Sequence, residues 1–407
     1  MAGQDRVAVN TAVIGVGNIG SVHAAQICRG SIAGMRLGAL CDIDPRRRET
    51  LRAEYPDVPV FADAEALLAG SDVDAVIIAT PHPFHAPIAL SAFAAGRHVL
   101  SEKPAAVEAA DAVKVTDAAK RSGKVYGIMF NQRTDPLFAK ARELIRSGEL
   151  GALKRTSWTV TNWYRTQAYY DSGSWRATWN GEGGGVLLNQ APHNLDLWIW
   201  LAGMPSAVRA VCSEGKYHRI RVEDEATIYA EFPGGATGVF ITSTGEAPGT
   251  NRLELVFDRG RLLLENGRLN VLRLGVSERE FCFTSKAGYA LPEISEENIV
   301  LRQERDGHSL ILEDFARAVL TGSPLLSPGA DGVNELSLSN AAYLSSWTGK
   351  RVELPLSPES MSEFRTFLAA RREAERAGRP APDPACASSN TVDIKPDEYS
   401  ARWTTRW

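Results

Sequence analysis

Six residues near the start of the chain, Gly15-Val16-Gly17-Asn18-Ile19-Gly20, have the spacing G-x-G-x-x-G. They lie where an apolar, β-branched run, Val7–Val16, meets a stretch of helical spacing, Asn18–Cys28. At such a junction Gly15 permits a tight turn, Gly17 lets the backbone approach a pyrophosphate, and Gly20 lets the helix pack closely on the strand. Asn18 and Ile19 open the helix, whose free N–H groups and dipole favour phosphate. Asp42 follows about 20 residues later, at the end of the next predicted strand, where a carboxylate takes the adenosine ribose hydroxyls of a dinucleotide. A carboxylate there repels a 2′-phosphate, which favours NAD over NADP. Arg46, Arg47 and Arg48 lie just beyond and read as a solvated first helical turn.

A second chemical texture lies between Trp158 and Trp200, which holds six of the nine tryptophans. Trp158 and Trp163 sit on or near a predicted strand, and Trp198 and Trp200 in an apolar helix, so these read as core. The loop Arg165–Glu182 differs, with Tyr169, Tyr170, Asp171, Trp175, Arg176 and Trp179 among Gly, Ser and Asn. Aromatic faces stack on sugar C–H surfaces while Arg and Asp bond hydroxyls, so a substrate loop is one reading. A lid or subunit contact is the other. His82 and His85 stand three apart with no third ligand at hand, and no metal site is expected.

Strand–helix alternation fills the first 130 or so residues. Met35–Cys41, Val73–Ala79, His98–Leu100 and Val125–Met129 read as strands; Pro45–Glu54, His85–Ala95 and Val107–Arg121 read as helices. Apolar runs separated by helices imply a doubly wound parallel sheet. After about residue 150 the pattern alternates instead: Thr156–Tyr164, Ala207–Cys212, Ala226–Phe232, Ala236–Thr242, Arg252–Phe257 and Arg261–Glu265. Pro233-Gly234-Gly235 and Asp258-Arg259-Gly260 stand at hairpin spacing. These segments predict an open antiparallel sheet with one face covered, followed by helices Ser309–Leu320 and Asn334–Thr348. The expected division is 1–130, 131–355, and 356–407 as a C-terminal helix and extended arm.

Val13-Ile14-Gly15-Val16-Gly17-Asn18-Ile19-Gly20, Ala79-Thr80-Pro81 with His85, and Glu102-Lys103-Pro104 together resemble the glucose–fructose oxidoreductase / inositol dehydrogenase (Gfo/Idh/MocA) family. Gly183-Gly184-Gly185-Val186-Leu187-Leu188-Asn189-Gln190-Ala191-Pro192-His193-Asn194-Leu195-Asp196 is similar to that family's second signature. The resemblance runs from about residue 9 to 355. It implies a Rossmann domain, followed by an α/β domain with a large open, mostly antiparallel sheet. It also implies NAD-dependent oxidation or reduction of a secondary hydroxyl on a sugar, inositol or related ring. It assigns the catalytic group to Lys103, Asn189 and His193, and places Thr80, His85, Glu102 and Lys103 near the cofactor. It puts His308 toward the substrate, while Tyr169, Trp175 and Arg176 are the substrate candidates that the residue types of the aromatic loop supply.

Asn189 stands where the family most often has Asp, so it can hydrogen-bond but cannot serve as a base. Alcohol oxidation releases a proton as well as a hydride, and an imidazole titrating near neutrality suits the proton. His193 is therefore the expected base, with activity rising through roughly pH 6–7. Lys103 is expected to stabilise developing alkoxide charge and is the rival base. Members sharing the Asn-Gln signature point to a pyranoside oxidised at position 3. Inositol oxidation is an alternative, as is a non-catalytic NAD-binding regulator on the same fold.

Lys and Arg number 45 against 49 Asp and Glu, a net charge of -4, which gives no reason to expect nucleic acid or an anionic membrane as partner. No apolar run has the length of a membrane span. Five cysteines (Cys28, Cys41, Cys212, Cys282, Cys386) without metal or redox spacing read as reduced, mostly buried thiols of a cytoplasmic protein. An alternating sheet with apolar residues on more than one face leads to the expectation of a homo-oligomer, dimer or tetramer.

Overall fold

The computed structural model describes residues 8–378. The arm expected from Pro380, with Trp403, Trp407 and Cys386, lies outside them. The chain opens with β1 (Val9–Ile14), α1 (Asn18–Cys28), β2 (Met35–Cys41), α2 (Pro45–Glu54), β3 (Val60–Phe61) and α3 (Ala64–Gly70). It continues with β4 (Ala75–Ile78), α4 (His85–Ala94), β5 (His98–Ser101), α5 (Ala109–Ser122) and β6 (Tyr126–Ile128). The strands form one parallel sheet in the order β3-β2-β1-β4-β5-β6. Every residue of β1 and β4 is buried, as helices on both faces require. The strand order reverses between β1 and β4, which places the ligand crevice of such a sheet at their carboxyl ends.

A second group follows: α6 (Pro136–Arg146), β7 (Leu153–Val160), α7 (Gln167–Asp171), α8 (Pro192–Ala202), β8 (Ala207–Glu214), β9 (Glu223–Glu231) and β10 (Thr237–Ser243). Next come β11 (Asn251–Phe257), β12 (Gly260–Glu265), β13 (Arg268–Leu274), α9 (Glu278–Thr284) and β14 (Ile294–Ile299). The last elements are α10 (Gly307–Thr321), α11 (Asp331–Thr348), β15 (Val352–Glu353) and α12 (Pro358–Ala377). Nine strands form the second sheet in the order β14-β13-β12-β11-β7-β10-β9-β8-β15. The sheet is mostly antiparallel, as expected, with one parallel pairing. Central β7 runs antiparallel to β11 but parallel to β10, because β10 returns to it from the far side of a hairpin. The strands β13 and β14 and the helices α6 and α9 were not expected.

Alternation sorts the faces of this sheet. On β9, Ala226, Ile228 and Ala230 point inward and are fully buried, while Tyr229 is 41 % exposed. The covered face packs on α8 and α11. Trp158 and Trp198 lie at its centre against Phe240, with ring centroids 5.9 and 5.4 Å away, and Trp198 Nε1 donates to Thr156 Oγ1 at 3.0 Å. The chain then crosses back: Ile311, Leu312, Phe315 and Ala316 of α10 join the core of the parallel sheet.

One buried ion cluster joins the two halves. Arg133, just after β6, donates to both carboxylate oxygens of Asp196 of α8 through Nε and Nη2, at 2.8 and 2.6 Å, and to Asp331 of α11 through Nη1 at 2.7 Å. Of the described cysteines, Cys28 and Cys282 are exposed, which corrects the expectation of mostly buried thiols. Each lies near a helix C-terminus, where the face toward solvent wins.

Candidate active site

The glycine turn sits at the crevice between β1 and β4. Gly15 has φ +85°, and a Cβ there would lie 2.8 Å from the carbonyl oxygen of Ala79, so only glycine fits. Gly17 has open space where its side chain would be, and it begins α1 without a side-chain cap. The first-turn N–H groups are thus left for an anion. Asn18 is exposed and Ile19 half-buried on that first turn. Asp42 directly follows β2 beside this turn, its carboxylate accepting from the N–H of Val16 at 2.9 Å and of Asp44 at 2.9 Å. An uncluttered turn, uncapped N–H groups and a carboxylate at the next strand's end together fit a dinucleotide. The arginine run is not the solvated turn expected of it. Arg47 donates to Val16 O at 2.7 Å and Arg48 to Asp42 O at 2.9 Å, because the adjoining carbonyls point out of the loop and need donors. Arg46 alone is exposed.

Two turns lie beside the crevice. Thr80 ends the first, and His85 staples it to the second, with Nδ1 2.7 Å from Pro104 O and Nε2 2.6 Å from Thr80 O. A neutral ring donates to one of these carbonyls only. Burial lowers the pKa of His85, the carbonyl contacts opposing. The Lys103–Pro104 peptide bond is cis. Glu102 points to α1, where it meets His23 at 2.9 Å. Burial opposes its charge, but the His23 bond holds its pKa below the ordinary carboxylate range. His308, in the first turn of α10, closes this side, with its ring centroid 5.8 Å from that of His23.

Lys103 crosses to the other half of the molecule and donates to the carbonyl of Asn189 at 2.6 Å. This bond joins the Glu-Lys-Pro turn to the segment before α8, and His193 lies one turn further along, 1 % exposed. Burial, and then the Lys103 charge, push the pKa of His193 well below the ordinary imidazole range, and burial also lowers that of Lys103. The segment itself hangs on Glu223 of β9. That carboxylate accepts from Gly185 N at 2.9 Å, Leu187 N at 2.9 Å and Tyr343 OH at 2.6 Å. Burial pushes Glu223 up to about 8 against these donors.

The aromatic loop divides in two. Tyr169, Trp175 and Arg176 gather beside Asn189: Arg176 donates to Tyr169 OH at 2.8 Å and lies 4.6 Å from the centroids of both rings, and Asn189 Nδ2 is 3.3 Å from Tyr169 OH. Tyr170 and Trp179 are core instead, 7 % and 3 % exposed. Sequence reasoning passed over two carboxylates here. Glu182 is 1 % exposed and contacts the Asn189 amide. Glu375 of α12 is 2 % exposed and accepts from Trp179 N at 3.2 Å, Asn180 N at 2.9 Å and Asn180 Nδ2 at 2.6 Å. A glutamate between Gly181 and Gly183 was the only local hint of the first; the second gave none. Among the described residues, no three His, Cys, Asp or Glu side chains gather as ligands for an ion, and no helix is long and apolar enough to cross a membrane.

Comparison with known proteins agrees with this architecture. Residues 9–130 match the profile of the oxidoreductase family with an NAD-binding Rossmann fold, and residues 138–263 match the GFO/IDH/MocA C-terminal domain. The chain is 27% identical over 361 residues to D-glucoside 3-dehydrogenase of Escherichia coli (strain K12), covering 85% of this chain and 97% of that one. It is 25% identical over 355 residues to myo-inositol 2-dehydrogenase of Thermotoga maritima, covering 84% and 97%. The WlbA dehydrogenase from Bordetella pertussis, solved with NADH and UDP-GlcNAcA, superimposes with a TM-score of 0.72 at 25% identity, over 86% of this chain and 100% of that one. Levoglucosan dehydrogenase shares the fold, with a TM-score of 0.72 at 22% identity over 85% and 99% of the two chains. With consecutive profiles of one family on both sheets and full-length relatives, the chain belongs to the Gfo/Idh/MocA family of NAD-dependent oxidoreductases acting on CH–OH groups.

Proposed function

We propose that this enzyme oxidises a secondary ring hydroxyl of a sugar or glycoside, at position 3 of a pyranoside. The observation that carries the reading is the 2.6 Å bond from Lys103 to Asn189 O, which brings the Glu-Lys-Pro turn, the His193 segment and the Tyr169–Arg176 cluster to one place beside the crevice. The glycine turn and Asp42 would hold NAD, which supplies the hydride acceptor. Lys103 has three N–H donors and spends one on Asn189, leaving others for the hydroxyl oxygen as it gains charge. His193, kept neutral by burial, accepts the proton. That burial moves the expected acid limb of activity below the pH 6–7 window of a free imidazole. Tyr169 and Trp175 offer faces for ring C–H groups, and Arg176 binds hydroxyls. The glucoside 3-dehydrogenase relative supports the ring position.

We also propose assembly through the outer face of the second sheet, around Ala226–Phe257, where Tyr229 stands 41 % exposed beside Val211 of the neighbouring β8, 66 % exposed. The activity is tested by following NAD reduction with glycosides, free monosaccharides and inositols in parallel, with and without a keto-sugar acceptor to release a retained cofactor. Fastest turnover on a glycoside, with a 3-keto product by NMR, is expected. Turnover confined to inositols would replace the substrate class.

A further inference from the structure

We propose that Glu182 is a positioning residue of this site: its buried carboxylate fixes the Asn189 amide with Nδ2 turned toward Glu182 and Oδ1 left to accept from the substrate hydroxyl, and it places one negative charge beside Lys103. This rests on the reading of Lys103 and Asn189 above and deepens it.

The carboxylate has little freedom. Its Oε2 accepts from Ala177 N at 2.6 Å, and its Oε1 accepts from Asn189 Nδ2 in a short contact. The Glu182 backbone is tied at both ends. Its N–H donates to Thr178 O at 2.9 Å, and its carbonyl accepts from His82 Nδ1 at 2.9 Å. The side chain therefore cannot swing to solvent. An ionised carboxylate only accepts hydrogen bonds, so the amide facing it must present its NH2. The opposite face of Asn189 is then an acceptor, the polarity needed to receive a hydroxyl proton donor beside Lys103.

The surrounding charges agree. Arg176 from the loop and Lys103 from the turn after β5 are the cations near Glu182; His82, Tyr169 and Tyr170 are its uncharged neighbours. Burial, the largest cause, leaves the carboxyl pKa raised, with Arg176, the Ala177 N–H, the Asn189 amide and Lys103 offsetting it only in part; the orientation of the Asn189 amide rests on the geometry, in which both carboxyl oxygens face N–H donors. Packing alone does not call for a carboxylate here. A glutamine would fill the same volume without the desolvation cost of a charge.

The test is an exchange across the contact with Glu182→Gln, Asn189→Asp and the double variant. Each single change should lower kcat/KM by about tenfold or more. Asn189→Asp should also gain an alkaline limb, because two touching carboxylates share a proton and lose activity when it leaves. The double variant restores one carboxylate and one amide, so it should exceed the product of the single effects by about tenfold and lose the new limb. A second readout needs no sugar. The Tm of Asn189→Asp should fall as pH rises through release of the shared proton, and that of the double variant should not. Multiplicative effects, or Asn189→Asp with neither a new limb nor a pH-dependent Tm, would overturn the proposal. If Asn189→Asp does not fold, a folded double variant supports the pairing and an unfolded one overturns it. Should the wild type oxidise no sugar, the functional reading fails while the Tm comparison still decides the contact.

Discussion

Replacing Glu375 by alanine should cut the strap between the C-terminal helix and the substrate loop. The carboxylate takes three N–H groups, at 3.2, 2.9 and 2.6 Å, and is 2 % exposed. Hydrogen bonds to a charged acceptor are each worth about 1.5–3 kcal/mol, and a buried donor left without a partner costs about 1–3 kcal/mol. Asn180 is exposed and regains water, whereas the N–H of buried Trp179 does not. The variant no longer incurs the cost of burying a carboxylate, which offsets part of the loss, so a net destabilisation of about 2–4 kcal/mol is expected. Glu375→Gln keeps a carbonyl acceptor and should lose about half of that. The assay is the urea midpoint at constant m value, paired with steady-state kinetics. KM for the sugar should rise several-fold, because Trp175 and Arg176 lie in the loop that Glu375 holds. NAD affinity should not change, because the glycine turn lies elsewhere. A loss below about 0.5 kcal/mol, the scale of an ordinary surface change, would refute the strap. A fall in NAD affinity parallel to the rise in KM would refute its locality.

Lys103→Met and His193→Ala should each lower turnover on the order of a hundredfold with NAD binding intact by calorimetry; an unaffected turnover would remove both from the site. Asp42→Ser should narrow the preference for NAD over NADP, and an unchanged ratio of dissociation constants would show that the carboxylate does not meet the ribose. Glu223, raised from 4.5 to about 8, contributes stability that is fully present below 4.5 and lost as pH rises through about 8. Glu223→Gln should therefore flatten the decline of Tm across that window, and an unchanged slope would assign it to another group. Light scattering should show a homo-oligomer at micromolar concentration, and charge placed at Val211 or Tyr229 should dissociate it; a monomeric wild type would end that proposal.

The nucleotide half was legible because its signals are local. Gly15, Gly17, Gly20 and Asp42 announce themselves by spacing, β4 by an unbroken apolar run and β1 by a largely apolar, β-branched one. The second sheet was legible where strands alternate cleanly, as on β9. It was missed on β14, whose Ile294–Ile299 segment is largely exposed and polar and is held by its pairing with β13 and by polar side-chain contacts such as Arg273 to Glu297. The site was half visible. Lys103 and His193 could be named by resemblance, but the Lys103–Asn189 bond spans 86 residues of chain, and no periodicity reports such a contact. Glu182 and Glu375 drew no reading of their own from the sequence because burial, which gives them meaning, is a property of the assembled fold. Trp179 and Tyr170 failed in the opposite sense: their composition suits a ligand, and the core claims them.

The mixed pairing of β7 bears on how the chain is made. This strand is the first of its sheet to leave the ribosome, yet its two neighbours, β10 and β11, are synthesised much later, after the His193 segment and the β8–β9 hairpin. Until then Trp158 and Val160 belong to a strand with two open edges, a species prone to wrong pairing. Neither the β8–β10 meander nor the β11–β14 meander can complete a sheet without it, so its closure is one late, non-local event. Chains released before β11 should therefore aggregate, while a parallel sheet ending at β6 has already found its neighbours. The same geometry leaves the long excursion from β7 to β8, which carries the loop, the signature and Glu182, without a completed sheet beneath it until β10 and β11 are made.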